Sequence, residues 1–488
     1  MKRTHKTRER GIAVLVTAII LVTVVPVMGL MFDGTLLFII KAQLQGAVDG
    51  AALAGARSLA RGGDSAAQIS AAQTAASNYV KLNYPTNFFF SSSPTIPTPT
   101  VDLSAQHQRT VTVTATVNFP GLFLQYMTGS TTVKAVASAT RRDVNVVMTV
   151  DRSGSLQASG SCTPLKAAAI NFVGQFASGR DQVGLVTFAS STYANFPIAN
   201  TFSTASPNVA AMINSIVCQG STSTAQGLWA AYQQLAGLNQ PGAFNVILLF
   251  TDGQPTGITV DMPIVPGSGC SQYTAGNPTG ADAYTLANNV SKGYIRGVYN
   301  TYMNVSQFFG ILDPNGYPGS GGYQNVTNGD INAAPNSNGC AYYSGWYGNM
   351  GTTSDFAGVP VKDIYGNSAN TTYQSVTLNS YGLIDIHNSS NAQAMTLNTA
   401  DSAATNIRNG VNDPVTNKSL ANITIFSIGL GNAAIPASPT FLTRVSNDPT
   451  SPIYDSSKPA GKYIYAATTA DLQPAFSEVA SEILRIAK

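Results

Sequence analysis

Three oxygen-bearing side chains alternate directly after an apolar run near the middle of the first half of the chain. Asp151, Ser153 and Ser155 follow the run 144–150 in a D-x-S-x-S spacing. Mg²⁺ and Ca²⁺ take oxygen ligands, and one carboxylate with two hydroxyls leaves part of the cation's charge unneutralised. Gly154 predicts a turn that lets both hydroxyls converge. The segment therefore predicts a cation site open to an outside carboxylate, although a strand-to-helix turn with hydroxyl caps explains the same residues.

Two later segments carry similar side chains at comparable places. Thr222 precedes a helical pattern that begins at Ala225, and Asp252 follows the apolar run 245–250. In open parallel sheets, ligands bind beyond the carboxyl ends of the strands, so these loops can meet at one crevice. Thr224, the second threonine of its loop, is predicted to cap the following helix.

Strand and helix patterns alternate through the rest of the chain. The predicted strands cover residues 144–150, 181–188, 245–250, 423–429 and 462–466. Helical patterns cover residues 165–176, 224–235 and 400–408, and a last helix carries an apolar stripe at Leu472, Phe476, Val479, Ile483 and Ile486. This alternation predicts an α/β fold with a doubly wound, mostly parallel sheet.

The three oxygen-bearing segments together resemble the metal-ion-dependent adhesion site of the von Willebrand factor type A domain. That site combines D-x-S-x-S, a threonine in a T-x-T loop and an aspartate in a strand-end D-G. The resemblance implies a Rossmann-like fold and a ligand set for Mg²⁺ or Ca²⁺ at Asp151, Ser153, Ser155, Thr222 and Asp252. In that family the serines and the threonine usually contact the metal directly, and the aspartates act partly through water. A Glu or Asp of a protein partner completes the coordination.

An uncharged stretch near the amino terminus predicts a membrane span. No charged residue occurs in the 22 residues from Gly11 to Phe32, which would extend roughly 33 Å as a helix. Five basic residues precede the stretch and only Lys41 follows it closely. We therefore expect a single pass of the inner membrane, a cytoplasmic amino terminus, and a periplasmic or extracellular remainder. A cleaved signal peptide is the alternative, but its apolar region usually has only about 7 to 15 residues.

The span continues into an amphipathic pattern over residues 33–61. Its apolar residues recur in steps of three and four, at Leu37, Ile40, Leu44, Val48, Ala52, Ala56 and Leu59. This stripe either packs on its own domain or, with Gly46 and Gly50 in G-x-x-x-G spacing, lets another helix approach.

The basic start, the single span and the small-residue stretch 42–56 resemble the amino-terminal region of TadE/TadG-like proteins of bacterial tight-adherence (Tad) pilus systems. Some of those proteins carry a carboxy-terminal von Willebrand type A domain. The resemblance implies pilus-assembly or other membrane proteins as partners of the anchor helix. Prepilin-type subunits need a Glu five residues after the cleavage-site Gly, whereas Val16 holds that position after Gly11. We therefore expect a permanently anchored accessory protein.

The remaining segments complete the predicted organisation. Residues 1–10 are a basic cytoplasmic tail, 62–100 a Pro-rich connector that includes a helix over 66–82, 101–142 a small β region built as hairpins, and 143–488 the von Willebrand type A domain. An insertion at about 256–397 is rich in Asn, Gly, Tyr, Ser and Thr. Because it begins four residues after Asp252, its base must lie near the metal loops. It is either a specificity element or an ordered decoration.

Four cysteines fit an oxidising compartment. Cys162 follows the first metal segment and Cys218 precedes the Thr222 loop, so we predict that these two pair. Cys270 and Cys340 both fall in the insertion, and we predict a second disulfide bond there. Each bond then stays within its own subregion. A zinc site is the alternative, but the chain has no C-x-x-C and no His near a Cys.

Composition and motifs exclude other classes of function. Net charge is +3 and charged residues are 10% of the chain, with the positive excess in the amino-terminal tail, so we expect no nucleic-acid binding. H-E-x-x-H, the Walker phosphate loop and G-x-S-x-G do not occur, and the three histidines lie in separate regions. We expect no enzyme activity.

Two functional hypotheses remain. The first is a membrane-anchored adhesion or binding protein, associated with a Tad-type pilus, which captures an acidic group of its partner through the cation. The second is a structural subunit of a pilus or secretion machine, in which the cation mainly stabilises the assembly.

Overall fold

The chain divides into two units, Met1–Arg142 with Lys488 and Asp143–Ala487. The structure is a computed structural model. It describes residues 6–59, 65–104, 107–125, 129–190, 192–263, 294–302, 305–310, 358–385, 389–431, 436 and 438–487.

A helix of 53 residues, α1 (Lys6–Ser58), dominates the first unit. From residue 13 to residue 28 its side chains are exposed. By length and composition, the helix from Ala13 to Ser58 includes a stretch that could cross a membrane. Farther along, the predicted stripe is buried against helix α2 (Ser65–Asn83) and a small sheet. Gly50 is covered by Tyr79, whereas Gly46 faces open space. The stripe therefore packs on its own unit.

The small sheet of the first unit has three antiparallel strands in the order β1-β2-β3. They are β1 (Thr100–Asp102), β2 (Gln108–Phe119) and β3 (Thr131–Arg142). Strands β2 and β3 form a hairpin paired from Gln108 with Arg142 to Phe119 with Thr131. Alternate residues of β2 are buried, because only one face of this sheet meets the helices.

A six-stranded sheet forms the centre of the second unit, in the order β12-β11-β7-β4-β5-β6. Its strands are β4 (Val144–Asp151), β5 (Gln182–Phe188), β6 (Thr192–Ala199), β7 (Phe244–Thr251), β11 (Thr424–Leu430) and β12 (Tyr463–Ala466). Neighbouring strands run parallel except at the edge, where β6 is antiparallel to β5. The sequence patterns did not predict β6.

Helices cover both faces of this sheet. The described α-helices of the second unit are α3 (Gly154–Ala158), α4 (Cys162–Val173), α5 (Val209–Asn214), α6 (Thr224–Leu238), α7 (Ser389–Asn409), α8 (Pro439–Ser446) and α9 (Leu472–Ile486). Helices α4 and α9 pack with Val146 and Met148 of β4, whereas α6, α7 and α8 pack with Val147 on the opposite face. Both faces of β4 are buried, which is why this strand is a continuous apolar run. The predicted doubly wound α/β fold is confirmed.

The described part of the insertion contains a second antiparallel sheet in the order β10-β9-β8. Its strands are β8 (Gly257–Pro263), β9 (Tyr294–Tyr302) and β10 (Val305–Gly310). Helix α7 begins at Ser389, eleven residues before the predicted start, because Met395 and Leu397 are buried despite their polar neighbours. Cys270 and Cys340, which we predicted to pair, lie outside the described residues.

Candidate metal centre

Asp151 is the last residue of β4 and is fully buried. Its Oδ1 accepts a hydrogen bond from the Ser153 backbone N–H at 2.7 Å, and its Oδ2 accepts one from the Thr251 hydroxyl at 2.6 Å. Thr251 ends the neighbouring strand β7. The carboxylate is therefore held in place by the ends of two adjacent parallel strands.

The two serines of the first segment converge on Asp252. The hydroxyls of Ser153 and Ser155 lie 3.0 Å apart, and the Ser155 hydroxyl donates to Asp252 Oδ1 at 2.8 Å. Ser153 Oγ lies 3.4 Å from the same oxygen. The other carboxylate oxygen, Asp252 Oδ2, is buried and has no hydrogen-bond partner among the described residues. The cluster thus contains an uncompensated acceptor.

The Thr222 loop runs alongside the first segment. The backbone N–H of Gln219 donates to the Arg152 carbonyl at 2.7 Å, and that of Gly154 donates to the Gly220 carbonyl at 2.9 Å. Thr222 itself is buried. All five predicted ligands therefore lie at a strand end, in a loop or at the start of α3, at the carboxyl edge of the sheet.

The glycine whose backbone conformation this edge of the sheet requires is Gly220. The prediction that Gly154 supplies the turn is wrong. Gly154 is the first residue of α3, and a β-carbon there would meet nothing nearer than the Gly220 carbonyl at 3.5 Å. Gly220 has φ +90°, and a β-carbon there would lie 2.9 Å from Ser190 Oγ. The loop's left-handed turn and its close approach to Ser190 both need glycine.

Thr224 does not cap α6 as predicted. Ser223 occupies the cap position without a side-chain capping bond, and Thr224 is the first helical residue. The Ser223 hydroxyl instead donates to the Ser190 carbonyl at 2.9 Å. The Thr224 hydroxyl is buried without a hydrogen-bond partner in the described part of the chain.

The electrostatics of the site favour a cation. Burial raises the pKa of Asp151, and the nearby charge of Asp252 raises it further. Burial also raises the pKa of Asp252. Arg152 is buried next to them, and burial lowers its pKa to about 10, so it stays charged at neutral pH. Two repelling carboxylates with one nearby guanidinium leave negative charge in a buried place, which a cation would offset.

The donor set suits a hard cation. It consists of carboxylate and hydroxyl oxygens, which Mg²⁺ and Ca²⁺ prefer. Among the described residues, no group of three or more His, Cys, Asp or Glu side chains is placed to hold a metal ion. The candidate cluster is not a group of this kind, because Asp151 and Asp252 are its only acidic ligands and the other three are Ser and Thr. The residues present therefore fit Mg²⁺ or Ca²⁺ better than a transition metal.

A disulfide bond joins the two loops behind the cluster. Cys162, the first residue of α4, is bonded to Cys218, which directly precedes Gln219. The predicted pairing of these cysteines is present in the structure. It ties the segment after Ser155 to the segment before Thr222.

Three residues that support the site were not identified from the sequence. Thr251 orients Asp151, as described above. Ser190 holds the second loop, because its hydroxyl accepts from the Ser221 N–H at 3.1 Å. Thr256 fixes Thr222: its hydroxyl accepts from the Thr222 N–H at 2.9 Å, and its own N–H donates to the Thr222 carbonyl at 2.8 Å. Only Thr251 had a sequence signal, its position next to Asp252.

Two family models match the chain. The von Willebrand factor type A domain matches residues 145–267, and the Flp pilus-assembly TadE/G-like family matches residues 11–58. The chain therefore joins a TadE/G-like amino-terminal region to a von Willebrand factor type A domain. With the apolar helix α1, the first region is a single-pass membrane anchor.

Similar proteins include one mouse protein and several pilus proteins. Calcium-activated chloride channel regulator 3A-1 of Mus musculus is 30% identical over 130 residues, which are 26% of this chain and 14% of that protein. The PilB minor pilin of Streptococcus sanguinis is 16% identical with a TM-score of 0.34, covering 81% of this chain and 79% of the pilin. The von Willebrand factor domain of the type V pili tip protein Mfa5 of Porphyromonas gingivalis is 17% identical with a TM-score of 0.37, covering 72% of this chain and 98% of that domain.

Proposed function

We propose that the chain is a membrane-anchored adhesion protein of a Tad-type pilus system that binds a protein partner through a divalent cation. Asp151, Ser153, Ser155, Thr222 and Asp252 would hold Mg²⁺ or Ca²⁺. When bound, the cation supplies positive charge and a coordination position for an exposed Asp or Glu of the partner. The role is binding and not catalysis.

The unpaired oxygen of Asp252 carries this proposal. A buried carboxylate oxygen without a hydrogen bond is costly, and a second buried carboxylate nearby adds repulsion. The surrounding bonds hold both carboxylates in place, so the protein cannot relieve the cost by turning them outward. Such a cluster makes physical sense as a site prepared for a cation.

The insertion is proposed to select the partner. Thr256, near its start, is bonded to Thr222 through both its backbone and its hydroxyl. At its other end, the Thr396 hydroxyl donates to the Pro255 carbonyl at 2.8 Å. Both ends of the insertion are thus fixed within a few residues of the cation ligands.

The membrane anchor sets the proposed location. The basic tail would stay in the cytoplasm, and the metal-binding domain would lie outside the inner membrane. There it could meet surface or pilus proteins, and the disulfide bond between Cys162 and Cys218 would be stable.

The cation site is tested by thermal melting of the full chain in lipid nanodiscs. With EDTA present we expect a lower melting temperature than with millimolar Mg²⁺ or Ca²⁺, since a ligand that binds only the folded state stabilises it. If neither ion raises the melting temperature, the metal site is wrong.

A double variant separates adhesion from assembly. Asp151→Ala with Ser155→Ala removes two proposed ligands. Asp455→Ala with Ser457→Ala is the matched control, because these two residues bond each other in an exposed segment and none of the bonds described for the cluster involves them. Lost adhesion with intact pili supports the adhesion role. Missing pili favour the second candidate, a structural assembly subunit, to which the TadE/G-like match of residues 11–58 also points.

The selecting role of the insertion has its own test. Replacing residues 311–357 with a short Gly/Ser linker, together with Cys270→Ser so that the predicted partner of Cys340 leaves no free thiol, keeps β8, β9, β10 and the Thr256 contacts. We expect the melting response to cations to persist while partner binding is lost. Unchanged adhesion would show that this part of the insertion does not select the partner.

A further inference from the structure

The turn between β2 and β3 lies against the end of the membrane span. Along α1, the residues from 13 to 28 are exposed, and Gly29 is the first buried residue after them. The Phe123 ring covers it so closely that a β-carbon at position 29 would collide with the ring. Only glycine lets this aromatic side chain lie directly on the helix backbone.

The depth of this contact follows from the helix geometry. Gly29 is 18 residues beyond Gly11, where the uncharged run begins, or roughly 27 Å along the helix. The hydrocarbon core of a bilayer is about 30 Å thick. Phe123 therefore lies at the depth where acyl chains meet headgroups, a place that suits aromatic side chains.

Asp33 holds the turn at this depth. Its carboxylate is fully buried and accepts three backbone hydrogen bonds, from Leu122 to Oδ1 at 2.9 Å and from Phe123 and Leu124 to Oδ2, each at 2.7 Å. Near a bilayer an unpaired carboxylate and unpaired backbone amides are both expensive. Here the Asp33 carboxylate and the three backbone amides are hydrogen-bonded to one another, so neither the carboxylate nor the amides need water as a partner.

Two apolar side chains of the turn are only partly covered by protein. Leu122 and Phe123 are each 39% exposed. They are apolar, they adjoin a helix segment whose own apolar side chains are exposed, and their backbone amides are already paired. Lipid is the surrounding that fits all three observations.

We propose that the β2–β3 turn, residues 120–125, inserts into the interface of the bilayer beside α1, with Leu122 and Phe123 contacting acyl chains. The turn is then a second membrane contact, which fixes the depth of α1 and orients the first unit on the membrane surface. The molecules that cover Leu122 and Phe123 are lipids and not a second copy of the chain.

Tryptophan fluorescence in the full chain tests this proposal. The emission of Phe123→Trp is compared with that of Leu82→Trp. In each case the emission of the parent protein, which has two native tryptophans, is subtracted. Leu82 is 84% exposed and precedes Asn83, whose carbonyl accepts from Gln43. Gln43 is 14 residues beyond Gly29, roughly 21 Å farther from the membrane.

In nanodiscs made with lipids brominated high on the acyl chain, the Phe123→Trp emission should be blue-shifted and mostly quenched, while the Leu82→Trp emission stays unchanged. Equal quenching of both reporters overturns the proposal. A blue shift without quenching means that protein covers the turn, which also overturns it. If Phe123→Trp does not fold, Leu122→Trp reports on the same turn with the same expected result.

Discussion

At the scale of single residues, the candidate centre is a set of mostly hydrogen-bonded oxygens in which one carboxylate oxygen lacks a partner among the described residues. Thr251 and the Ser153 amide fix Asp151, and Ser155 fixes one oxygen of Asp252. The second oxygen of Asp252 is buried and has no hydrogen-bond partner within the described part of the chain. This arrangement stores unfavourable energy in the cation-free state, and cation binding would release it.

Asp252→Asn separates stability from cation binding. The amide keeps a carbonyl oxygen for Ser155 but carries no charge, so repulsion with Asp151 disappears. We expect the cation-free protein to become more stable by on the order of 1 kcal/mol and to lose its melting response to Mg²⁺ and Ca²⁺. Asp455→Asn, at an exposed turn, should keep the parent's response. A full cation response in Asp252→Asn would remove Asp252 from the ligand set.

Alanine substitutions at Gly220 and Gly154 should differ in their effect on the free energy of unfolding. Gly220→Ala places a β-carbon at φ +90° and 2.9 Å from Ser190 Oγ, so we expect a loss of about 1–3 kcal/mol. Gly154→Ala meets only ordinary contacts and should change stability by less than about 0.5 kcal/mol. Thermal melting with EDTA measures both. Equal effects of the two changes would contradict the assigned loop geometry.

At the scale of elements, the site depends on the order of the strands. Strands β4 and β7 are neighbours, so their carboxyl ends bring Asp151 and Thr251 together. The loop before α6 then reaches the same edge, where backbone bonds and the disulfide bond between Cys162 and Cys218 hold it. Strand β8 begins six residues after the end of β7. The backbone N–H groups of Thr256 and Gly257 at its start donate to the Thr222 carbonyl, which attaches the insertion to the ligand loop.

Thr256→Val tests the coupling between the insertion and the site. It removes the hydroxyl that accepts from the Thr222 N–H, and we expect cation affinity to fall about 3- to 10-fold, as for one lost hydrogen bond. Thr259→Val is the matched control, because the Thr259 hydroxyl donates to Gln226 and not to Thr222. Calorimetric titration with Ca²⁺ or Mg²⁺ measures both. Equal affinities in the two variants would show that Thr256 does not position the ligand loop.

At the scale of the whole molecule, a membrane anchor and a von Willebrand factor type A domain occur in one chain. The TadE/G-like match and the apolar part of α1 identify the anchor, and the type A match identifies the domain. The basic residues before Gly11 predict which side of the membrane the domain occupies.

Protease protection tests this orientation. In spheroplasts that express the full chain with an amino-terminal tag, external protease should remove the type A domain and leave the tag protected until the membrane is lysed. A cytoplasmic protein measured in parallel confirms that the membrane is intact. Protection of the domain, with digestion of the tag, would reverse the proposed topology.

The sequence determined those features that depend on local pattern. Continuous apolar runs predicted the central strands, since both of their faces are buried, and alternating residues predicted the hairpin of the small sheet. The sequence also located the five oxygen-bearing residues that we propose as ligands, because each follows a strand or precedes a helix at a recognisable spacing.

Only the tertiary structure decided what depends on contacts between distant segments. It made β6 an antiparallel edge strand, extended α7 through a polar segment, and moved the required glycine from Gly154 to Gly220. It also showed that the amphipathic stripe packs on its own unit. These outcomes depend on which neighbour covers each residue, and a local pattern of side chains carries no record of that neighbour. The D-x-S-x-S segment predicted the type of chemistry, and the fold brought Ser153 and Ser155 to Asp252, one of whose oxygens has no hydrogen-bond partner among the residues that the structure describes.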